Sequence, residues 1–580
     1  MFRWFVSISL FFAFSHVALG EEPARAPEAA TGVYAKGLAV AQKHMVVAAN
    51  PIAAEAGREI LRSGGSAVDA AIATQLVLGL IEPQSSGLGG GAFIVHWDQA
   101  SKTVTTYDGR ETAPAAAKPD RFLSGGQPMT FDAAVRSGLS VGVPGVMRVL
   151  ELAYKRAGKL AWAKLFEPAI KLSENGFPVP ARLSALLAVD RGENFSPAAR
   201  SYFFDAAGAA HPAGYSLKNP EYAATLKILA EKGAGAFYEG AIADAIVAAA
   251  ATAPIAKGDM TNADLASYQA KERAAVCGSY RGHKICGMGP PSSGALTIAQ
   301  TLKLIEPMPQ VQGTGNAMTA AALHTIAEAE KLAYADRGKY LADPEFVAIP
   351  TGLLDDGYLA ERRKLIDPAH AMPKPAAGVP PGVEKRAFGL DTTHEAAGTS
   401  HFSIVDDDGN AVAMTSTVES AFGSHLWAGG FLLNNQMTDF SFRPVDGAGV
   451  KVANAIEPGK RPRSSMAPTI VFDASGNLEV VTGSPGGSRI ILFVIKALVA
   501  MLDWGYDPQV AAALVNFGSE GGPFVFDYKF EALWPALKLK TYGHAVAFEP
   551  MASGVHTILR RGGHLEGGAD PRREGVALGD

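Results

Sequence analysis

Cysteine is scarce: the 580-residue chain has two, Cys277 and Cys286. Their spacing, with no second cysteine or histidine pair nearby, does not make a zinc site. They flank GSYRGHKI, a hairpin-turn pattern, and both a disulfide and two buried thiols fit it. Basic charge is not in surplus either. A net charge of −5 gives no electrostatic footing for nucleic acid. Beyond the first twenty residues no apolar run is long enough to span a bilayer; the stretch 490–502 is short and is interrupted by Lys496. No long-period repeat is present, which removes solenoids and propellers.

What is present suits a compact globular protein with a large core: 48% hydrophobic residues, 19% charged, and 63 glycines for turns and close backbone approaches. Residues 1–20 read as a secretory signal, with Arg3 ahead of an apolar run and small residues Ala18 and Gly20 at the cleavage region. That implies a periplasmic or secreted protein, the alternative being an uncleaved anchor. Residues 21–31 form an Ala/Pro/Glu-rich tail. Strand 45–49 is followed by helices 51–61 and 66–80, then a glycine loop at 83–93 feeding strand 93–97, and a strand over 102–107. Residues 143–330 are mostly helical by their apolar periods. The stretch 366–398, with five prolines, reads as an exposed linker. Past Gly398 the pattern turns to strands: 400–405 and 411–418 around a turn, then 469–472 and 478–482. A strongly apolar helix over 488–502 follows, with Ser488 as its N-cap.

The stretch GTSHFSIVDDDGNAVAMTST (398–417) carries the chemistry. A mid-chain threonine hydroxyl has no base of its own. If the Gly398–Thr399 bond is cut, Thr399 gains an α-amine with a reference pKa near 8, so nucleophile and base share one residue. Thr417 lies across the predicted hairpin, where it can orient the Thr399 hydroxyl. Taken alone, both also read as ordinary strand threonines. Gly486 and Gly487, in GSPGGSR ahead of a helix, offer bare amides for an oxyanion. Arg110 has the planar fork that grips a carboxylate, Ser464 and Ser465 offer hydroxyls to complete it, and Asp439 can pair an ammonium.

Together EPQSSGLGGGAF, DGRETAP, PPSSGALTIAQ, AYADRGKYLADPEF, the 398–417 stretch, LLNNQMTDF, KRPRSSMAPTIV, TGSPGGSRI and GGADPRR resemble the γ-glutamyltranspeptidase family over nearly the whole mature chain. The resemblance implies an α+β fold, the four-layer αββα sandwich of N-terminal-nucleophile hydrolases. It implies autocleavage into a large subunit (21–398) and a small subunit (399–580) that stay interlocked as a heterodimer. Thr399 matches the nucleophile and Thr417 its supporting threonine; Gly486 and Gly487 match the oxyanion hole. Arg110, Ser464 and Ser465 match the α-carboxylate site, and Asp439, with Gln436 beside it, the α-amino site. Substrates would be glutathione and other γ-glutamyl compounds, with water, amino acids or peptides as acceptors, and with no metal or organic cofactor.

Two departures matter. Glu419 stands where many members have asparagine, which bears on acceptor use and γ-glutamyl preference. The segment between Phe440 and Arg461 is shorter than in lid-bearing members, which implies a more open site favouring hydrolysis. Two other readings stay open: a glutaryl-type acylase of the same superfamily, such as one removing β-lactam side chains, and an uncleaved periplasmic protein that binds amino-acid derivatives.

Overall fold

The computed structural model describes residues 32, 34–383, 388–391, 393, 395 and 398–580. The signal segment and tail lie outside the described residues. Two seven-stranded sheets form the centre, and every pairing within them is antiparallel. One sheet runs Ala39–Ala41, His564–Ala569, His556–Arg561, Leu478–Thr482, Thr469–Phe472, His283–Gly287, Val276–Tyr280. The other runs Val576–Gly579, Met45–Ala48, Gly398–Val405, Ala411–Glu419, Gly91–Asp98, Thr103–Gly109, Lys271–Ala274. Both sheets combine strands from before and after residue 398, so neither half owns a sheet.

Strand side chains alternate between faces, and here the alternation sorts them into two cores. Val46, Ala48, Ile94, Phe402, Ile404, Val412 and Met414 join helices Pro51–Arg62, Ala67–Ile81 and Val146–Ala157 in one. Met45, Val47, Phe93, Val95, Val405, Ala411 and Ala413 join the facing sheet and helices Gly294–Ile305, Ala320–Tyr340 and Ile490–Leu502 in the other. The result is the expected helix–sheet–sheet–helix layering, with the second sheet buried on both faces.

The early helices start where capping chemistry says they should. Asn50 accepts from the Ile52 amide, and Ser66 and Asp69 form a reciprocal capping box. Cys277 and Cys286 face each other across the hairpin of Val276–Tyr280 and His283–Gly287 and are joined as a disulfide. Two expectations need correction. Ser488 is not an N-cap: it lies inside a 3-10 turn, Gly487–Arg489, and the α-helix begins at Ile490 without a side-chain cap. The stretch read as an exposed linker is exposed only in part. Asp367, His370 and Lys374 face solvent, whereas Asp391 and the Glu395 side chain are buried against arginines. Their partners lie far away in sequence, so local composition carries no sign of them.

Candidate active site

Gly398–Val405 and Ala411–Glu419 pair in register, which sets Thr399 opposite Thr417. The register shifts between Gly398 and Thr399, a bulge at the bond in question. The Thr399 hydroxyl donates to Thr417 Oγ1 at 3.3 Å, and Thr417 in turn donates to the Gly398 carbonyl at 2.6 Å. The Glu419 amide donates to Thr417 Oγ1 at 2.8 Å. Glycine is required at 398, since a Cβ there would lie 2.2 Å from the Glu419 carbonyl oxygen. Glu419 itself has φ 83°, a left-handed conformation uncommon for a side-chain-bearing residue. From the GGADPRR motif, Arg573 Nη1 holds the Thr399 carbonyl at 3.1 Å.

The facing sheet contributes the glycine turn after Leu478–Thr482. Gly486 has φ 141° and packs against the Phe493 ring, 2.5 Å from where a Cβ would sit; Gly487, at φ 58°, lines the same cavity as Thr399. Thr399 and the glycine turn thus come from different sheets, and Thr399 and Gly487 line one cavity.

Arg110, Thr417, Glu419, Gln436, Asp439 and Ser464 line that cavity too. Ser465 sits just behind, accepting from Arg337 Nη2 at 2.6 Å. Arg110 is not an open fork: Nη2 donates to Asp439 Oδ2 at 2.5 Å and to the Arg463 carbonyl at 2.8 Å, and Nε to the Pro462 carbonyl at 3.2 Å. Gln436 donates to the same Asp439 oxygen at 2.8 Å. Burial, with the Glu419 carboxylate close by, pushes Asp439 well above the usual carboxylate range against the pull of Arg110. Glu419 accepts from Ser420 Oγ at 2.6 Å and from Asn435 Nδ2 at 2.5 Å. Next to Arg110, burial lifts Glu111 to about 8.

Three charged residues that no single-residue argument singled out complete the site: Arg337, Arg463 and Glu395. Arg337 lay within a quoted motif and Arg463 beside the serines, so an unexplained arginine in a motif was the available signal. Glu395 lines the cavity and pairs with Arg337. With it in place the cavity is small, about 20 Å³, room for about one water.

A GxSxG pattern occurs at 138–142, but Ser140 is buried and donates to the Val135 and Ser137 carbonyls, so it is no exposed nucleophile. Away from the cavity His324, Glu328 and His544 bring metal-ligand atoms within 4.8 Å. Those groups are already paired: the imidazoles bond each other at 2.8 Å, and Lys331 holds Glu328 at 2.8 Å.

The family model described as gamma-glutamyltranspeptidase matches residues 53–580. The chain belongs to the gamma-glutamyltranspeptidase family. Among curated members, it is 38% identical over 543 residues to the glutathione hydrolase proenzyme of Escherichia coli (strain K12), covering 92% of this chain and 91% of that one. It is 35% identical over 555 residues to the glutathione hydrolase proenzyme of Bacillus subtilis (strain 168), covering 93% and 92%. Among solved structures, a cephalosporin acylase from Bacillus halodurans superposes with TM-score 0.81 at 26% identity, covering 99% of both chains. Gamma-glutamyltranspeptidase membership and this superposition agree with the layered fold.

Proposed function

We propose that this chain is an enzyme that cuts itself between Gly398 and Thr399 and then cleaves the γ-glutamyl amide of glutathione and related compounds. The observation that carries the reading is the hydrogen-bond relay through Thr417. Its lone pair takes the Thr399 hydroxyl proton while its own proton polarises the Gly398 carbonyl. Attack of Thr399 Oγ on that carbonyl and rupture of the C–N bond give an ester and a free α-amine, the hydroxyl proton passing by way of Thr417 to the leaving nitrogen; water then hydrolyses the ester. The freed amine serves as base for the next attack, now on the γ-carbonyl of the substrate. The oxyanion is met by the Gly486–Gly487 turn. The leaving amine departs, and water or an acceptor amino acid or peptide resolves the γ-glutamyl ester. The two fragments stay together as a heterodimer, since each contributes strands to both sheets.

The corner holding Asp439 and Glu419 favours a γ-glutamyl group over a glutaryl one. Two buried carboxyls lie close enough for Glu419 to raise Asp439, and an ammonium placed there neutralises them, which a glutaryl group cannot do. The glutaryl reading draws on the likeness to the cephalosporin acylase and on Glu419 itself. A periplasmic or secreted location goes with the proposal, supported by the Cys277–Cys286 disulfide. The test is a denaturing gel of purified protein together with turnover of γ-glutamyl and glutaryl anilides. Two bands and faster γ-glutamyl turnover are expected. A single active band refutes the mechanism, and faster glutaryl turnover refutes the substrate.

A further inference from the structure

We propose that Arg337, with Ser465 and Arg463, forms a carboxylate subsite that Glu395 fills in the uncleaved chain and a substrate carboxylate takes over after cleavage. The identity of that ligand rests on the γ-glutamyl reading above.

Arg337 lies in the last turn of helix Ala320–Tyr340 and is buried. Its Nε donates to Ser293 Oγ at 2.8 Å, and its Nη2 to Ser465 Oγ at 2.6 Å and to Glu395. Among the described residues Glu395 is the only carboxylate in ion-pair range of this guanidinium. Arg463, also buried, pairs with Asp391 at 2.9 Å and reaches Glu395 at 3.6 Å through Nε. Its Nε and Nη1 have no hydrogen-bond partner among the described residues. Two buried guanidiniums therefore converge on one carboxylate, which lines the cavity beside Thr399 and Asp439.

Of the carboxylates named, Glu395 lies nearest the chain end that cleavage would create. Before cleavage Glu395 is tethered on both sides, and a tethered ligand competes at high effective concentration. After cleavage it sits three residues from a free chain end. Arg337 cannot simply be abandoned, because an unpaired buried cation is costly. Glu395 is exchanged only for another carboxylate, and a γ-glutamyl compound brings one to the same cavity. Arg110 is less available for this task, since Asp439 and two carbonyls already engage it.

The experiment holds the full chain uncleaved with Thr399→Ala and compares it with Thr399→Ala/Glu395→Gln by calorimetric titration. L-glutamate and glutathione are the probes. The double variant is expected to bind at least tenfold more tightly, and Arg337→Met added to it is expected to abolish the gain. A gain with glutamate assigns the subsite to the α-carboxylate; a gain with glutathione alone assigns it to the glycine end. No gain with either probe, or a gain that survives Arg337→Met, overturns the proposal. A second measurement avoids the uncleaved forms. In the mature enzyme Arg337→Lys keeps the charge but loses the fork, and KM for glutathione should rise at least tenfold with kcat changed less; an unchanged KM overturns the subsite. Should wild type neither cleave itself nor hydrolyse γ-glutamyl anilide, the proposed function fails instead, which separates the two failures.

Discussion

Asp570 and Asp439 are both buried carboxylates held by arginine, yet their surroundings differ. Asp570 Oδ1 takes the Arg572 amide at 3.0 Å and Nη1 at 3.1 Å, while Oδ2 takes the Val555 amide at 3.2 Å and the Ser553 hydroxyl. Arg572 continues to Asp527 and the Ala512 and Leu514 carbonyls, and Lys496 to Asn516 and Leu514. No side-chain atom of Asp570, Arg572, Lys496 or Asn516 is left over. Around Asp439 the count does not close: Asp439 Oδ1, Gln436 Oε1 and two nitrogens of Arg463 lack hydrogen-bond partners among the described residues. Unpaired buried polar atoms cost stability, and those that face a cavity are ones a ligand there could complete. Titration follows the same division. In spite of burial, Arg572 and Lys496 hold Asp570 below the usual carboxylate range, whereas burial and Glu419 push Asp439 above it.

The sharpest break is chemical and leaves both networks intact. Thr399→Ala should yield one full-length band and turnover reduced at least about a thousandfold, since the nucleophile and its base vanish together; normal fragments on the gel would refute the assignment. The next largest effect separates the two acids. Asp570→Asn breaks a closed buried pair and should lower unfolding free energy by about 3–5 kcal/mol, read by denaturant melts. Asp439→Asn should cost far less stability but raise KM for a γ-glutamyl anilide roughly tenfold, about 1.4 kcal/mol, with a smaller change for the glutaryl anilide. Equal losses of stability in the two variants would erase the distinction between the networks.

Elements with strong local signals were readable from sequence: the helices at 51 and 66 with their Asn50 and Ser66 caps, and the hairpin that pairs Thr399 with Thr417. Thr399, Thr417, Arg110, Gln436, Asp439, Ser464 and Gly487 do line one cavity. What stayed hidden is pairing across sequence distance. Arg110 next to two carboxyl-binding serines reads as a substrate clamp, and only the folded chain places Asp439 on it, 329 residues away. Glu395 reads as one more polar residue in a proline-rich stretch, because nothing local shows that Arg337 and Arg463 converge there. Ser488 fits a cap by type, but the preceding glycine turn carries the chain into a 3-10 turn first.

A further contrast between the two networks lies in how they respond to pH. Glu111, beside Arg110, is raised by burial to about 8, and neither carboxyl oxygen has a hydrogen-bond partner among the described residues. Its unfolded value is about 4.3, so the unfolded chain loses this proton first. Its contribution is complete below about pH 4 and is lost as pH rises through 8. Lys496, in the closed network, is lowered by burial and by Arg572 to about 7, against about 10.4 unfolded. Its contribution is complete above about pH 10 and is lost as pH falls through 7. Thermal melts of wild type, Glu111→Gln and Lys496→Met from pH 5 to 10 at one scan rate should therefore diverge in opposite directions. The advantage of Glu111→Gln over wild type grows from pH 5 to 8, and that of Lys496→Met shrinks from pH 7 to 10. Differences that stay flat across those windows would mean that neither group titrates as its burial demands, and the contrast between an open and a closed network would rest on hydrogen-bond geometry alone.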